Sequence, residues 1–332
     1  MTKARVGLLI AILLFAVFIP VFYHNPYVLH LLIMIYFQAY LGSCWNILGG
    51  YAGQLSFGHA AFFGIGAYTS AWLVSSFDIY PWFGMWVGAL LSMLAGIGLG
   101  FVFFKYKVRA LFFALGTLAF GEVLLIIARN WFKGGSTGIE IPLKGDSWAY
   151  FQFVGKAPYY YIILAMLIGV VLIIYKVERS KLGYYLLAIR ENEESAAAVG
   201  VNTAKYKLLA IALSSFFTAL GGSYWAQYSL YIEPPMAFRG DLSFDMVIRP
   251  LVGGVGTLLG PIYGSLALTP IAEGMNILLG AYKGLHLIIF GLILVVVMML
   301  FPGGLVDLVK KASYFISSRG NSTDTGRKPQ RE

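Results

Sequence analysis

Residues 190 to 208, RENEESAAAVGVNTAKYKL, carry six charged side chains in a chain where only 12% of residues are charged. Glu191, Glu193 and Glu194 precede Ala196, Ala197 and Ala198, and Lys205 and Lys207 follow them, an order that suits the dipole of a short helix. Gly200 lets the chain turn out of that helix, so the segment can lie in a groove of another protein. A second set lies in an apolar run, GGYAGQLSFGHAAFFGIGAY at 49 to 68, where Gly53, Gln54, Ser56, Gly58 and His59 stand close together. A helix broken there frees backbone polar groups, and lipid tolerates these only where protein or a wet cavity satisfies them. Freed backbone beside an amide and a hydroxyl is the chemistry needed to pass a polar solute. Gly49 and Gly53 also have GxxxG spacing, so close helix packing competes with this reading, and a lone histidine is more often a satisfied packing residue than a ligand. A third string, VGGVGTLLGPIYG at 252 to 264, brings Gly253, Gly254, Gly256 and Thr257. Two interrupted apolar segments in opposite halves point to a transport path.

Catalytic constellations are lacking. The chain has no HExxH or CxxC, and no GxxxxGK[ST] to cradle a nucleotide phosphate, so any ATP-driven work needs a partner chain. The one cysteine, Cys44, excludes a disulfide framework and a cysteine-ligated metal site. The acids within or near apolar runs, Glu122, Asp245 and Glu273, form no relay with histidines along one helix, which argues against proton coupling.

These residues must be positioned by membrane helices. The 332 residues are 59% hydrophobic with mean hydropathy +0.77 and about half the usual share of charge, which makes an all-α integral membrane protein without room for a soluble domain. Runs long enough for a bilayer core about 30 Å thick fall at Val6–Phe22, Val28–Leu48, Ala60–Ser76, Trp82–Phe104, Ala110–Arg129, Tyr159–Tyr175, Leu208–Tyr228 and Leu285–Phe301. The glycine-interrupted segment Asp245–Gly280 crosses either twice or not at all, as a re-entrant hairpin. Seventeen Lys and Arg residues fall on one proposed side and six on the other, which puts both termini in the cytoplasm and requires an even number of crossings, ten in preference to eight. A single polytopic transmembrane unit is expected over 1–309 with a cytoplasmic loop near 177–207, followed by a polar, disordered cytoplasmic tail at 310–332. The net charge of +9 sits at loop edges and in that tail, as anionic inner-leaflet lipid favours, and nucleic acid is not a partner.

The strings resemble, in order, the M-type permease subunit of branched-chain amino-acid ABC importers, a family with related urea and short-chain amide permeases. The resemblance runs through GGYAGQLSFGHAAFFGIGAYTSA, FFALGTLAFGEV (112 to 123), KGGSTGIEIP (133 to 142), AIRENEESAAAVGVNTAKYKL (188 to 208) and VGGVGTLLGPIYGS (252 to 265), covering roughly residues 30 to 305. It implies a permease of the cytoplasmic (inner) membrane that pairs with a homologous second permease, two cytoplasmic ATPases and an extracytoplasmic solute-binding protein. ATP and magnesium are then used by the partners and no cofactor is bound by this chain. Glu194, Ser195, Ala196 and Gly200 resemble the loop by which such permeases dock on their ATPases, with Arg190, Glu191, Ala197 and Lys205 in the same coupling segment. Arg249 and Pro250 depart from the family's apolar run before the glycines. The readings that compete are a urea or short-chain amide permease and an ion-coupled secondary transporter, which would not need the docking helix.

Overall fold

The computed structural model describes residues 17–20, 25–132 and 134–279, and beyond them residues 288, 289, 291, 292, 295, 296, 299 and 303–307. The expected spans Val6–Phe22 and Leu285–Phe301 lie largely, and the tail from 310 wholly, outside the described residues. Along the chain run α1 (Pro26–Asn46), continued by a π turn (Ile47–Tyr51), α2 (His59–Phe77), α3 (Pro81–Lys105), α4 (Ala110–Trp131), β1 (Ile139–Glu140), α5 (Lys156–Glu178), α6 (Lys181–Glu191) and α7 (Glu193–Ala198). They are followed by α8 (Thr203–Ser229), β2 (Tyr231–Ile232), α9 (Pro234–Phe238), α10 (Gly240–Gly253) and α11 (Gly260–Leu279). Six helices among the described residues are long and apolar enough to cross a membrane: α1 with its π turn, α2, α3, α4, α5 and α8. Each coincides with an expected span, because an uninterrupted apolar run of that length has few other structures open to it.

Helix α8 is the hub, and hydrogen bonds fix the direction of its neighbours. Helix α1 runs antiparallel to it, since His30 meets Tyr228, Tyr40 Oη donates to the Phe217 carbonyl and Ser214 Oγ donates to the Cys44 carbonyl. Helix α2 runs parallel to it, with His59 opposite Ser214, Ser223 Oγ donating to the Gly66 carbonyl and Gln227 opposite Ser70. Helix α3 lies against both through small residues at four-residue intervals, Gly84, Gly88, Ser92, Gly96 and Gly100. A Cβ at Gly96 would stand 2.5 Å from Ser215 Oγ and one at Gly88 would stand 3.1 Å from the Gly66 Cα. In lipid this close approach replaces the hydrophobic drive that holds a soluble bundle. Leu94, Leu111, Ile126 and Leu172 project outward from α3, α4 and α5, as lipid-facing positions do.

One end of the bundle is tied by the 132–155 loop. Strand β1 pairs antiparallel with β2, Ile139 opposite Ile232, the Trp82 indole donates to the Trp148 carbonyl at 2.7 Å, and Lys144 pairs with Asp78 at the end of α2. The segment 245–280 resolves into two helices joined by a glycine turn. Chain entering from β2 passes through α9 and α10 toward the opposite end, and α11 returns antiparallel, bringing Glu273 near His30. Helix α10, 14 residues long, covers about 21 Å, so the chain makes that passage only with α9 and the turn between them.

Candidate functional site

The first glycine string is a broken helix. Helix α1 widens into the π turn, Gly53 takes φ +66°, and the Gln54 N–H reaches back to the Leu48 carbonyl at 3.1 Å. Residues 53–58 then run without helix until α2 starts at His59, with Gln54, Ser56 and Gly58 buried and Gly53 and Leu55 exposed. Their polar backbone is satisfied from three other helices: the Trp45 indole donates to the Ser56 carbonyl (2.8 Å), the Phe57 N–H to Thr117 Oγ1 (3.1 Å) and the Ala60 N–H to Ser243 Oγ (2.8 Å). A Cβ at Gly58 would sit 2.1 Å from the Thr117 carbonyl oxygen, so only glycine fits against α4 there. Gln54 Nε2 donates to the Ala52 carbonyl at 3.3 Å and Ser56 is wholly buried.

His59 is buried in a one-way chain of hydrogen bonds. Ser214 Oγ gives its proton to the Cys44 carbonyl (2.7 Å), so it must accept from His59 Nε2 (2.7 Å); His59 Nδ1 then accepts from Ser56 Oγ (3.1 Å), which itself accepts the Gly58 N–H. A ring with its proton on Nε2 satisfies every partner in this chain. It staples the broken stretch to α8 and α1, and both its nitrogens are committed to protein.

The second string turns α10 into α11, with Gly254 at φ +134° and Gly256 at φ +70°. Gly253 and Gly260 pack backbone to backbone: a Cβ on Gly253 would be 1.7 Å from the Gly260 carbonyl oxygen. Thr257 Oγ1 donates to the Gly254 carbonyl at 2.8 Å. The two breaks are joined by Asn46, whose Nδ2 donates to the Thr257 carbonyl (3.0 Å) while its Oδ1 accepts the Gly256 N–H (2.9 Å). Gly50 backs onto the same amide.

The charged segment forms two helices where one was expected. Asn192, with φ −158° and ψ 109°, ends α6 and caps α7, its Oδ1 accepting the Ser195 N–H at 2.8 Å. Glu191 thus closes α6 rather than opening α7; Glu193 and Glu194 occupy the first turn of α7. Gly200 takes φ +90°, its N–H bonds the Ala197 carbonyl and the Val201 N–H the Ala196 carbonyl, the paired bonds of a glycine C-cap. Buried Lys207 pairs with Glu193 at 2.5 Å and anchors α7 to α8, while Lys205 points out. Ala196 packs inward, leaving Glu191, Glu194, Ala197 and Val199 exposed together. Arg190 is brought beside both breaks, close to Gly53 and Gly256.

Arg249, the departure noted in the sequence, is buried on α10 with Nη1 on the Asp245 carbonyl (2.5 Å) and 3.3 Å from its carboxylate. Its Nε, with Gln38 Oε1, Ser265 Oγ and Thr269 Oγ1 of the adjoining α1 and α11, lacks a hydrogen-bond partner among the described residues.

Asn46, Trp45, Thr117, Ser214 and Ser243 carry these breaks, and none is marked in the sequence. Each is a single polar or amphipathic residue in an apolar run, with no pattern of spacing to find it. The chain is similar in sequence to known membrane permeases. It is 27% identical over 303 residues to the high-affinity branched-chain amino acid transport system permease protein LivM of Escherichia coli, covering 84% of this chain and 69% of the relative. It is 27% identical over 249 residues to the xylose/arabinose import permease protein XylH of Sulfolobus acidocaldarius (71% and 63%). It is 24% identical over 201 residues to the autoinducer 2 import system permease protein LsrC of Yersinia enterocolitica (57% and 53%). No solved structure matches. The model of the branched-chain amino acid transport system permease component matches residues 27–298, and the chain belongs to that family.

Proposed function

We propose that this chain is the M-type permease subunit of an ATP-binding cassette importer that moves branched-chain amino acids across the cytoplasmic membrane. The observation that carries the reading is the helix pair α6–α7: its second helix is capped at both ends and anchored through Lys207, and the pair presents Glu191, Glu194, Ala197 and Val199 outward at the end of the bundle where both glycine breaks lie. An ion-coupled transporter has no use for such an appendage. The partners are a homologous second permease, two ATPases that bind ATP and magnesium, and an extracytoplasmic solute-binding protein. The permease unit spans 1–309 with ten crossings, both termini in the cytoplasm, α9–α10 and α11 supplying the two crossings beyond the uninterrupted spans. Gln54, Ser56 and the backbone near Gly253, Gly254, Gly256 and Thr257 border the solute path shared with the second permease.

Glu194→Lys reverses a charge in the first turn of α7, opposing the helix dipole and any basic patch on the ATPase. In reconstituted vesicles with all subunits at wild-type stoichiometry, it is expected to abolish stimulation of ATP hydrolysis by the loaded binding protein. Full stimulation would remove α7 as the docking element. Competition for binding-protein uptake by leucine, isoleucine, valine and urea identifies the solute; uptake driven only by urea, a sugar or another solute would overturn the amino-acid assignment.

A further inference from the structure

A Cβ on Gly53 would lie 3.1 to 3.3 Å from Cγ, Cα and Cβ of Arg190, and one on Gly256 would lie 1.9 Å from Arg190 Nη1 and 2.9 Å from the Gly50 carbonyl oxygen. Both glycines adopt a positive φ, and both leave room for the same side chain. Arg190, an exposed residue in the last turn of α6, lies over the place where the two breaks meet. Helix α1 ends there, with the Gly50 carbonyl in its last turn, and a cation is favoured where the free carbonyls of a helix C-terminus gather. Asn46 already binds the breaks to each other, so a displacement of Arg190 is felt by both.

We propose that Arg190 is a positioning residue that links the docking helices to the two glycine breaks: its guanidinium caps the broken end of α1 and bears on Gly256, carrying movement of α6 to both breaks at once. Gly53 and Gly256 are glycines because a side chain at either would occupy the space of that arginine. The inference deepens the importer reading and rests on it.

The test uses the assembled complex in vesicles and compares ATP hydrolysis with and without loaded binding protein. Arg190→Gln removes the charge and keeps much of the bulk. It is expected to lower stimulated hydrolysis about fivefold, the worth of one charge at a helix terminus, while unstimulated hydrolysis and subunit stoichiometry stay at wild-type levels. Arg190→Lys keeps the cation without the fork and is expected to retain more than half of the stimulation but less than all of it. Gly256→Ala, which drives a methyl into the guanidinium, should combine with Arg190→Gln less than multiplicatively because both act at one joint. Wild-type stimulation in Arg190→Gln, or a fully multiplicative double variant, would overturn the proposal. If Arg190→Gln does not assemble, Arg190→Lys decides: reduced stimulation at unchanged basal hydrolysis supports the joint, wild-type stimulation rejects it. The contact itself is read separately, because the pair Gly53→Cys and Arg190→Cys in a Cys44→Ala background has a Cβ separation near the disulfide range. Oxidation should cross-link it, and failure to do so contradicts the geometry. A wild-type complex without ATP-driven uptake would instead sink the importer reading, an outcome distinct from unaffected Arg190 variants.

Discussion

At the scale of single residues, the breaks in this bundle are held by side chains that satisfy exposed backbone. Asn46 spends both halves of its amide on the second break from the first. Asn46→Leu leaves the Gly256 N–H and the Thr257 carbonyl unpaired, each worth about 1–3 kcal/mol where water cannot replace the partner. The expected result is a lower melting temperature of the purified complex together with reduced uptake; an unchanged melting temperature would contradict the role of the amide. Ser214→Ala tests the His59 chain in the same way. It strands the His59 Nε2–H and exposes the Cys44 carbonyl, and thermal stability should fall further than for Ser229→Ala, a hydroxyl bonded within its own helix and loop. Asp245 and Arg249 form a pair of another kind. Removing Asp245 alone leaves a buried cation, so Asp245→Asn should impair assembly more than the double change Asp245→Asn with Arg249→Met, which takes out both charges. Equal yields from single and double variants would show that the pair carries no burden of burial.

At the scale of elements, the glycine positions divide by what they must admit. The C-cap at Gly200 has open space around its Cα, so a side chain meets no neighbour, but its φ of +90° penalises any L residue and a β-branched one most. Gly200→Val is therefore expected to insert normally and to lose binding-protein stimulation because α7 no longer ends in register with α8; retained stimulation would show that the turn tolerates rearrangement. The uninterrupted spans were legible because twenty apolar residues leave the backbone no alternative in lipid, and the breaks were legible because glycines cluster where helices cannot continue. Passage through α9 and α10 was less so: Pro234, Pro235, Arg239 and Asp241 divide it into pieces too short to read as a span. The division of the docking segment at Asn192 was hidden for a different reason. A capping asparagine between two good helix-forming stretches is indistinguishable, by propensity, from one tolerated inside a single helix. Ser214, which holds His59 Nε2, and the partners of Asn46 lie more than 150 residues away in the chain, and nothing in local spacing encodes them.

At the scale of the whole molecule, the two ends of the bundle differ in construction. One is closed by a paired loop with an ion pair and a hydrogen bond from the Trp82 indole to the Trp148 carbonyl; the other bears α6–α7 and both breaks. The proposed orientation, argued from the distribution of lysine and arginine, has the second end in the cytoplasm. Leu143 and Val199, 77% and 81% exposed at opposite ends, are suited to test it. In a Cys44→Ala background, a membrane-impermeant thiol reagent applied to intact cells should label Leu143→Cys and spare Val199→Cys; the reverse pattern inverts the molecule and removes the docking proposal. The central claim, that this subunit moves amino acids only as part of an ATP-driven assembly, is tested most directly by uptake into proteoliposomes. The account predicts accumulation of a branched-chain amino acid against its gradient when the second permease, both ATPases, the binding protein and ATP are all present, and none by this chain alone under a proton or sodium gradient. Uphill uptake by the single purified subunit, driven by either ion, would contradict it.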